Sequence, residues 1–172
     1  MPRPNTGDFA PYYQSYIEKA TGSDVVAILD ESYKPLQGWL TSLDETKLGY
    51  RYAPGKWTLA QVLQHIIDAE RVFAYRAMCI ARGEQQALPG FDENGYADAA
   101  PASGRKLKGL TDELLNLRKA TTILFRSIAG ENALEKKGTA SNKPITVNAL
   151  GFIIAGHALH HQAIVDTLYL SK

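Results

Sequence analysis

The sequence TVNALGFIIAGHALHHQAIVDTLYL, at residues 146–170, decides the fold of this chain. Its apolar side chains recur at three- and four-residue steps, which is the period of an α-helix. Thr146 suits the N-cap of that helix, and Ile145 and Leu150 stand at the two positions of a hydrophobic staple. The stretch therefore predicts a C-terminal helix with one apolar face turned towards a core.

Two histidines lie within this apolar face. At about 100° per residue, Leu150, Ile153 and Leu168 all fall within about 40° of His157, and His161 lies one turn further along the same face. The two imidazoles must therefore be buried together. A buried imidazole needs a hydrogen-bond partner or a metal ion, because an unpaired polar group is costly to remove from water.

The same period predicts three further helices and gives little support for strands. The second helix of the chain begins at a capping box formed by Thr58 and Gln61, and Gly83 ends it. For the third helix we expect Thr111 to be the N-cap. Pro35 interrupts the first, so we expect either one kinked helix or two short ones. These three segments are residues 24–43, 58–82 and 110–128.

Four long helices in a chain of this size predict an all-α protein, a four-helix bundle in which residues 1–172 form a single domain. Residues 83–110 are too many for a tight hairpin between the second and third helices. Fully extended, they could span the length of a helix, so these two helices could run parallel, joined by a crossover. We expect the bundle at about residues 23–170 and an N-terminal arm at residues 1–22.

Charge and cysteine content exclude several classes of protein. The 19 Lys and Arg residues nearly balance the 18 Asp and Glu residues, so we expect neither nucleic acid nor an anionic membrane surface as a partner. Cys79 is the only cysteine, which excludes an intrachain disulfide and fits a reducing compartment. The first residues lack the apolar region of a signal peptide and no apolar stretch has membrane-spanning length, so we expect neither export by that route nor membrane insertion. We therefore expect a cytoplasmic protein.

A third histidine, His65, lies on the inner face of the second helix, towards one of its edges. Two imidazoles at i and i+4 can present their nitrogens to one ion, and a third from a neighbouring helix completes a facial set. Such a set leaves open coordination positions, as catalytic zinc sites do, and nickel and iron also accept imidazole. From the residues alone, a metal site and a group of hydrogen-bonded core histidines both remain open.

Three stretches of the chain resemble the DinB/YfiT-like superfamily. They are YAPGKWT at residues 52–58, QHIIDAERVF at residues 64–73 and GHALHHQAI at residues 156–164, and the resemblance extends over about residues 23–170. It implies a four-helix bundle with an up-down-down-up course, a homodimer, and a divalent metal held by one histidine of the second helix and two of the fourth. By position, these metal ligands are His65, His157 and His161.

The resemblance also suggests a function, although the chemistry of the family is not uniform. Some relatives are thiol-dependent transferases or isomerases, and many have no assigned activity. We expect a metal-dependent enzyme of the thiol S-transferase type that uses zinc or nickel and a low-molecular-weight thiol such as bacillithiol, mycothiol or glutathione. The alternatives are a metal-dependent hydrolase acting on a small molecule and a non-catalytic, metal-binding dimer of a stress response.

Four further residues are weaker candidates for the site. Asp92 and Tyr96 lie in the long connection and could reach the open face of the metal, although a solvated turn also explains them. Arg76 lies on the same face of its helix as the histidine and could bind a substrate carboxylate or form an internal ion pair. Asp68 could orient a histidine or could simply lie at the surface.

Overall fold

Helices dominate the computed structural model, which describes residues 2–100, 102, 104–130 and 132–170. Two short strands form a hairpin directly before the last helix. The helices are α1 (Gln14–Lys19), α2 (Val25–Glu31), α3 (Tyr33–Ser42), α4 (Leu59–Ala81), α5 (Glu93–Ala99), α6 (Leu107–Ile128) and α7 (Val147–Leu168), and the strands are β1 (Lys137–Ala140) and β2 (Lys143–Thr146).

The first helix of the bundle is divided into α2 and α3 at Ser32, so the second of the two expected forms is present. The cause is Pro35, whose ring would collide with the carbonyl of Glu31 if one continuous helix were formed. The side chain of Asp24 accepts a hydrogen bond from the backbone N–H of Ala27 and caps α2. Helices α2 and α3 therefore together form the first helix of the bundle.

The capping box predicted for the second bundle helix is present at the start of α4. The hydroxyl of Thr58 accepts a hydrogen bond from the backbone N–H of Gln61 at 3.1 Å, and the Gln61 side chain accepts one from the backbone N–H of Thr58 at 2.9 Å. The chain leaves the helix at Gly83, whose φ of 91° favours glycine. At the last helix, the hydroxyl of Thr146 accepts from the backbone N–H of Ala149, as expected of an N-cap.

The expected start of the third bundle helix is wrong. Helix α6 begins at Leu107, and its N-cap position is occupied by Lys106, whose side chain makes no capping hydrogen bond. Thr111 lies inside the helix and is buried. The physical reason is packing, because Leu107 and Leu110 are both buried and extend the apolar face of α6 by one turn.

Side-chain pairs between α4 and α6 show that the two helices run parallel. Arg105, just before α6, donates to the side chain of Gln64 at 2.6 Å. Further along both helices, Arg118 donates two hydrogen bonds to Glu70. The order of the pairs is the same along both helices, so residues 82–106 are a crossover, as the length of the connection predicted.

The first bundle helix and α7 also run parallel. A Cβ atom built on Gly151, in the first turns of α7, would overlap the side chain of Val25 at the start of α2. At the other end, the indole N–H of Trp39 donates to Asp166 at 2.9 Å. With α4 antiparallel to α7, the course is up-down-down-up, and the predicted all-α four-helix bundle is confirmed.

The buried apolar side chains form two groups that meet in the middle of α4 and α7. The first group joins α1 and α2 to the end of α4 and the start of α7, and the second joins α3 to the start of α4, α6 and the end of α7. On α7 the first group ends at Ala155 and the second begins at Ala158. In the described ranges, no helix combines the length and apolar character that a membrane crossing requires.

The hairpin of β1 and β2 was not predicted from the sequence. Its two-residue turn has Ser141 and Asn142 in the left-handed region, at φ 52° and 59°, as a type I′ turn requires. Leu88 of the crossover extends the pairing, because its N–H donates to the carbonyl of Thr139 and its carbonyl accepts from the N–H of Ser141. Strands of four residues are too short to give a clear alternation in the sequence.

Helix α1, part of the expected N-terminal arm, packs directly on α7. Its side chains Tyr16 and Ile17 are buried. A Cβ atom built on Gly156 would overlap the backbone carbonyl of Tyr16, so only glycine allows the two backbones to approach this closely. Gly156 immediately precedes His157, and this contact therefore fixes one wall of the histidine cluster.

Replacing this glycine should destabilise the protein. We expect Gly156→Ala to lower the free energy of unfolding by about 1–3 kcal/mol, because the added methyl group would push α1 off α7. The control is Gly38→Ala in α3, where a Cβ atom meets nothing within 4 Å and where the higher helix propensity of alanine should add about 0.5–1 kcal/mol. Urea unfolding of both variants measures the difference, and equal effects would contradict the close approach.

Candidate metal centre

Three buried histidines from two antiparallel helices point their ring nitrogens at one another. The Nε2 atom of His157 lies 3.0 Å from Nε2 of His65 and 3.1 Å from Nε2 of His161. The possible ligand atoms of all three residues lie within 4.8 Å of one another. The structure thus brings together the three residues that the sequence predicted as metal ligands, at the point where the two apolar groups of the core meet.

Aromatic rings surround this cluster and exclude water from most of it. Trp57, the residue before the N-cap of α4, lies against His65 with 4.7 Å between ring centroids. Tyr16 meets the ring of His157 edge-on at 5.3 Å, and Phe73 meets the same ring edge-on at 5.9 Å. The rings of His65 and His157 are therefore packed against aromatic side chains, which limits the orientations that they can adopt.

Burial keeps all three imidazoles neutral. It lowers the pKa of His65 to about 4 and that of His161 to about 3, because a charged ring is poorly solvated there. It also holds the pKa of His157 well below its usual value, with the neighbouring histidines lowering it further. Neutral imidazole is the form that binds a metal ion, so the nitrogens are ready to act as ligands at neutral pH.

Protein hydrogen bonds alone satisfy this cluster poorly. A neutral imidazole nitrogen carries either a proton or a lone pair, so Nε2 of His157 can either donate or accept. It must nevertheless serve two neighbouring Nε2 atoms at hydrogen-bond distance. A cation that accepts the lone pairs of all three atoms removes this conflict, and the cluster therefore fits a metal ion better than it fits three core histidines.

The spacing of the nitrogens agrees with a three-ligand site. Imidazole nitrogens bind divalent zinc at about 2.0–2.1 Å. Two nitrogens at that distance from one ion lie about 3 Å apart when they subtend an angle slightly above 90°, as in a facial set with open positions. The separations of 3.0 and 3.1 Å correspond to such a set.

The cluster opens into a cavity of about 200 Å³, which we call the histidine pocket. Its wall includes one acidic residue, Glu93, which lies in the first turn of α5 and is exposed to solvent. This carboxylate comes from the crossover, whereas the ligands come from the bundle. The other lining residues are Tyr12, Tyr13, Tyr16, Trp57, Ala69, Phe73, Phe91, His160 and the three clustered histidines.

Asp92 and Tyr96, the candidates from the long connection, have other contacts. The side chain of Asp92 caps α5 by accepting a hydrogen bond from the backbone N–H of Asn94 at 3.1 Å. Tyr96 packs on the ring of Phe91 and lines a neighbouring cleft. The acidic residue that lines the histidine pocket is Glu93, the neighbour of the predicted Asp92. The difference arises because Asp92 is the N-cap of α5, whereas Glu93 is the first residue of that helix.

Asp68 and Arg76 also have contacts away from the three imidazoles. Asp68 accepts a hydrogen bond from the side chain of Gln64 at 3.0 Å and lies 3.5 Å from Arg71, at the edge of the bundle. Arg76 is buried and donates to the carbonyl of Pro89 at 2.6 Å. Neither residue has a hydrogen bond to an imidazole among the described contacts.

Sequence reasoning missed the pocket residues that come from outside the bundle helices. Tyr16 faces the site only because α1 folds back onto α7, and no local pattern in the sequence predicts that contact. Glu93 could have been found by placing a helix N-cap at Asp92, since aspartate is a preferred N-cap residue and Glu93 follows it.

His160 is half-buried and lies beside the cluster, with its ring 5.1 Å from that of His161.

Comparison with protein families gives one match over most of the chain. The family model described as the DinB superfamily matches residues 28–165. These residues include all three clustered histidines and most of the bundle, from α2 to the last turn of α7.

Two curated bacterial proteins are similar to this chain over nearly its whole length. A protein of Geobacillus thermodenitrificans (strain NG80-2), named as a candidate metal-dependent hydrolase, is 25% identical over 150 residues, which are 86% of this chain and 83% of that protein. The protein YfiT of Bacillus subtilis (strain 168), also named as a candidate metal-dependent hydrolase, is 23% identical over 164 residues, 94% of this chain and 90% of that protein.

A solved structure has the same fold. It is that of YfiT from Bacillus subtilis, described as having an unusual four-helix bundle topology, and it matches with a TM-score of 0.73 at 20% sequence identity. The match covers 84% of this chain and 83% of that chain. The likeness supports the up-down-down-up course derived above from side-chain pairs.

Removing any one of the three histidines should remove most of the bound metal. We expect about one divalent ion per chain in protein purified without a histidine tag, and His65→Ala, His157→Ala and His161→Ala should each lose most of it, since two imidazoles hold an ion far less tightly than three. His160→Ala is the matched control and should keep the metal. Elemental analysis measures the content, and retention of the wild-type amount by the triple variant would exclude this site.

Metal-free protein should become less stable as the pH falls from about 6.5 towards 4. The unfolded chain protonates its imidazoles near pH 6.5, whereas folded His65 does so only near its pKa of about 4. The unfolded state therefore binds more protons in this window, and the free energy of unfolding decreases as the pH falls. Urea unfolding of chelated protein measures the slope, and an equal slope in a variant with glutamine at all three positions would contradict the buried neutral imidazoles.

Proposed function

The chain belongs to the DinB superfamily, and from that premise we propose that it is a metal-dependent hydrolase that cleaves an amide or ester bond of a small molecule. The metal ligands in this proposal are His65, His157 and His161. The observation that carries the proposal is the convergence of three neutral imidazole nitrogens at 3.0–3.1 Å on one wall of a pocket. The names of the two curated relatives favour hydrolysis over the thiol transfer expected from the sequence.

The three imidazoles would hold the ion at the wall of the histidine pocket. When bound, such an ion polarises a carbonyl group and lowers the pKa of a coordinated water or thiol. Trp57 and Tyr16 pack against the ligand rings and keep bulk water away from them. This enclosure strengthens every charge interaction inside the pocket, because the local dielectric constant is low.

Glu93 supplies the acid–base function that hydrolysis requires. Glu93 lines the same pocket as the three imidazoles, and in this proposal its carboxylate accepts a proton from an attacking water molecule. The oxygen of that water forms a new bond to the carbonyl carbon, the bond from that carbon to the leaving nitrogen or oxygen breaks, and Glu93 returns the proton to the leaving atom. A positioned carboxylate of this kind contributes about 10²–10⁴-fold to a rate.

Thiol transfer is the second candidate, and one feature of the site favours it. All three ligands are neutral imidazoles, so none of them offsets the charge of a divalent ion. An anionic thiolate would offset that charge and is a good zinc ligand. In that case Glu93 would take up the thiol proton, and the sulfur would form a bond to the electrophile.

Turnover by metal-loaded protein tests both candidates. We expect zinc- or nickel-loaded protein to hydrolyse members of a panel of small amides and esters, and Glu93→Gln to lower kcat by about 10²-fold or more with unchanged metal content. The control is Glu84→Gln, an exposed glutamate outside the histidine pocket. Wild-type kcat in Glu93→Gln would exclude the role of this carboxylate.

The same preparation decides between hydrolysis and thiol transfer. If no amide or ester is cleaved while bacillithiol, mycothiol or glutathione is conjugated to a test electrophile, the hydrolase proposal is wrong and transfer replaces it. On cobalt-loaded protein, thiolate binding would also give a charge-transfer band that hydroxide and carboxylate ligands do not give. Absence of both reactions from fully loaded protein would leave the non-catalytic dimer as the remaining function.

A further inference from the structure

A second cavity lies beside the histidine pocket, on the other side of Phe91. It has a volume of about 240 Å³ and lies between α4 and the crossover. Phe91 lines both cavities, so a molecule bound in the second would lie next to the candidate metal centre. We call it the Arg76 cleft; its lining includes Val72, Tyr75, Arg76, Leu88, Phe91 and Tyr96.

Two arginines line this mainly apolar cleft. Arg71 has an acidic partner, because Glu113 lies 2.6 Å from it, so the guanidinium group of Arg76 is the unusual feature. Arg76 is only 2% exposed. It donates to the carbonyl of Pro89 at 2.6 Å and to the hydroxyl of Ser141 at 3.1 Å, and it also interacts with the hydroxyl of Tyr13. The rings of Phe73 and Phe91 each lie 5.9 Å from its central carbon atom. All of these groups are uncharged.

No carboxylate within the described residues lies within ion-pair distance of Arg76, so the internal ion pair considered for it is not found there. The other fully buried arginine, Arg118, is different, because Glu70 lies 2.8 Å from it. Arginine cannot lose its proton in a protein, so the buried charge of Arg76 is permanent. Hydrogen bonds from neutral groups and aromatic faces offset only part of the cost of burying it.

We propose that the Arg76 cleft binds the carboxylate of a small organic acid whose apolar part packs on Phe91 and Tyr96. The guanidinium group would pair with the carboxylate in the bidentate geometry that arginine favours. This inference rests on the proposed function and deepens it, because it identifies the substrate class. The substrate is an amide or ester that also carries a carboxylate, which the cleft binds while the scissile bond lies in the histidine pocket.

A purely structural role is the competing explanation for Arg76. Its hydrogen bonds join α4 to the crossover at Pro89 and to the hairpin turn at Ser141, and this connection alone could account for the residue. The two explanations differ in one respect. Only the binding role predicts that the protein distinguishes an anion from a neutral molecule of the same shape.

Benzoate and benzamide are the matched probes for this difference. Calorimetric titration of metal-loaded wild-type protein should give at least about tenfold tighter binding of benzoate, since a charge-assisted bidentate pair is stronger than a neutral hydrogen bond. Arg76→Gln should remove this preference, and Arg82→Gln should keep it, because it removes the same charge from the exposed C-cap of the same helix. Equal binding of the two probes, or no binding of benzoate at millimolar concentration, would overturn the proposal.

A second variant tests the proposal independently, in case Arg76→Gln fails to fold. Val72→Phe should fill the cleft without altering the hydrogen bonds of Arg76, and it should weaken benzoate binding while leaving the melting temperature near that of the wild type. Unchanged benzoate binding in Val72→Phe would also overturn the proposal. Benzoate binding involves no turnover and should persist in chelated protein, so failure of the cleft is distinguishable from failure of the hydrolase proposal.

Discussion

Three imidazole rings buried at the centre of the bundle impose the constraint on which the rest of the structure depends. Each ring needs a partner in a place that bulk water hardly reaches, and the partners come from two helices that cross at the junction of the two apolar groups. His157 cannot serve both of its neighbours with one nitrogen. The fold thus brings together, at one point, three imidazole nitrogens that need a partner. A metal ion is the simplest group that can bind all three.

The elements around the three histidines are arranged so that they cover the imidazole rings. Helix α1 lies on α7 because Gly156 has no side chain in the way, and this places Tyr16 over the ring of His157. Trp57, which precedes the N-cap of α4, covers His65. The bundle therefore supplies the ligands and part of the pocket wall, and segments outside it supply the rest of that wall.

The crossover contributes the groups that would meet a substrate. Glu93 brings a carboxylate to the histidine pocket, and Phe91 separates that pocket from the cleft above Arg76. Arg76 in turn holds the crossover at Pro89, so the two cavities share one wall with a fixed position. The rigid helices thus carry the metal ligands and Arg76, and the connecting segment places Glu93 and Phe91 beside them.

The sequence by itself determined the four bundle helices, most of their ends and the three clustered histidines, because helical period, capping boxes and glycine stops are local patterns. It did not determine the start of α6, since burial of Leu107 outweighed the capping preference of Thr111. It also could not choose between Asp92 and Glu93 or reveal that Arg76 lacks an acidic partner among the described residues. Those outcomes depend on which segments meet across the fold, and only the tertiary structure decided them, because long-range packing leaves no periodic signal in the chain.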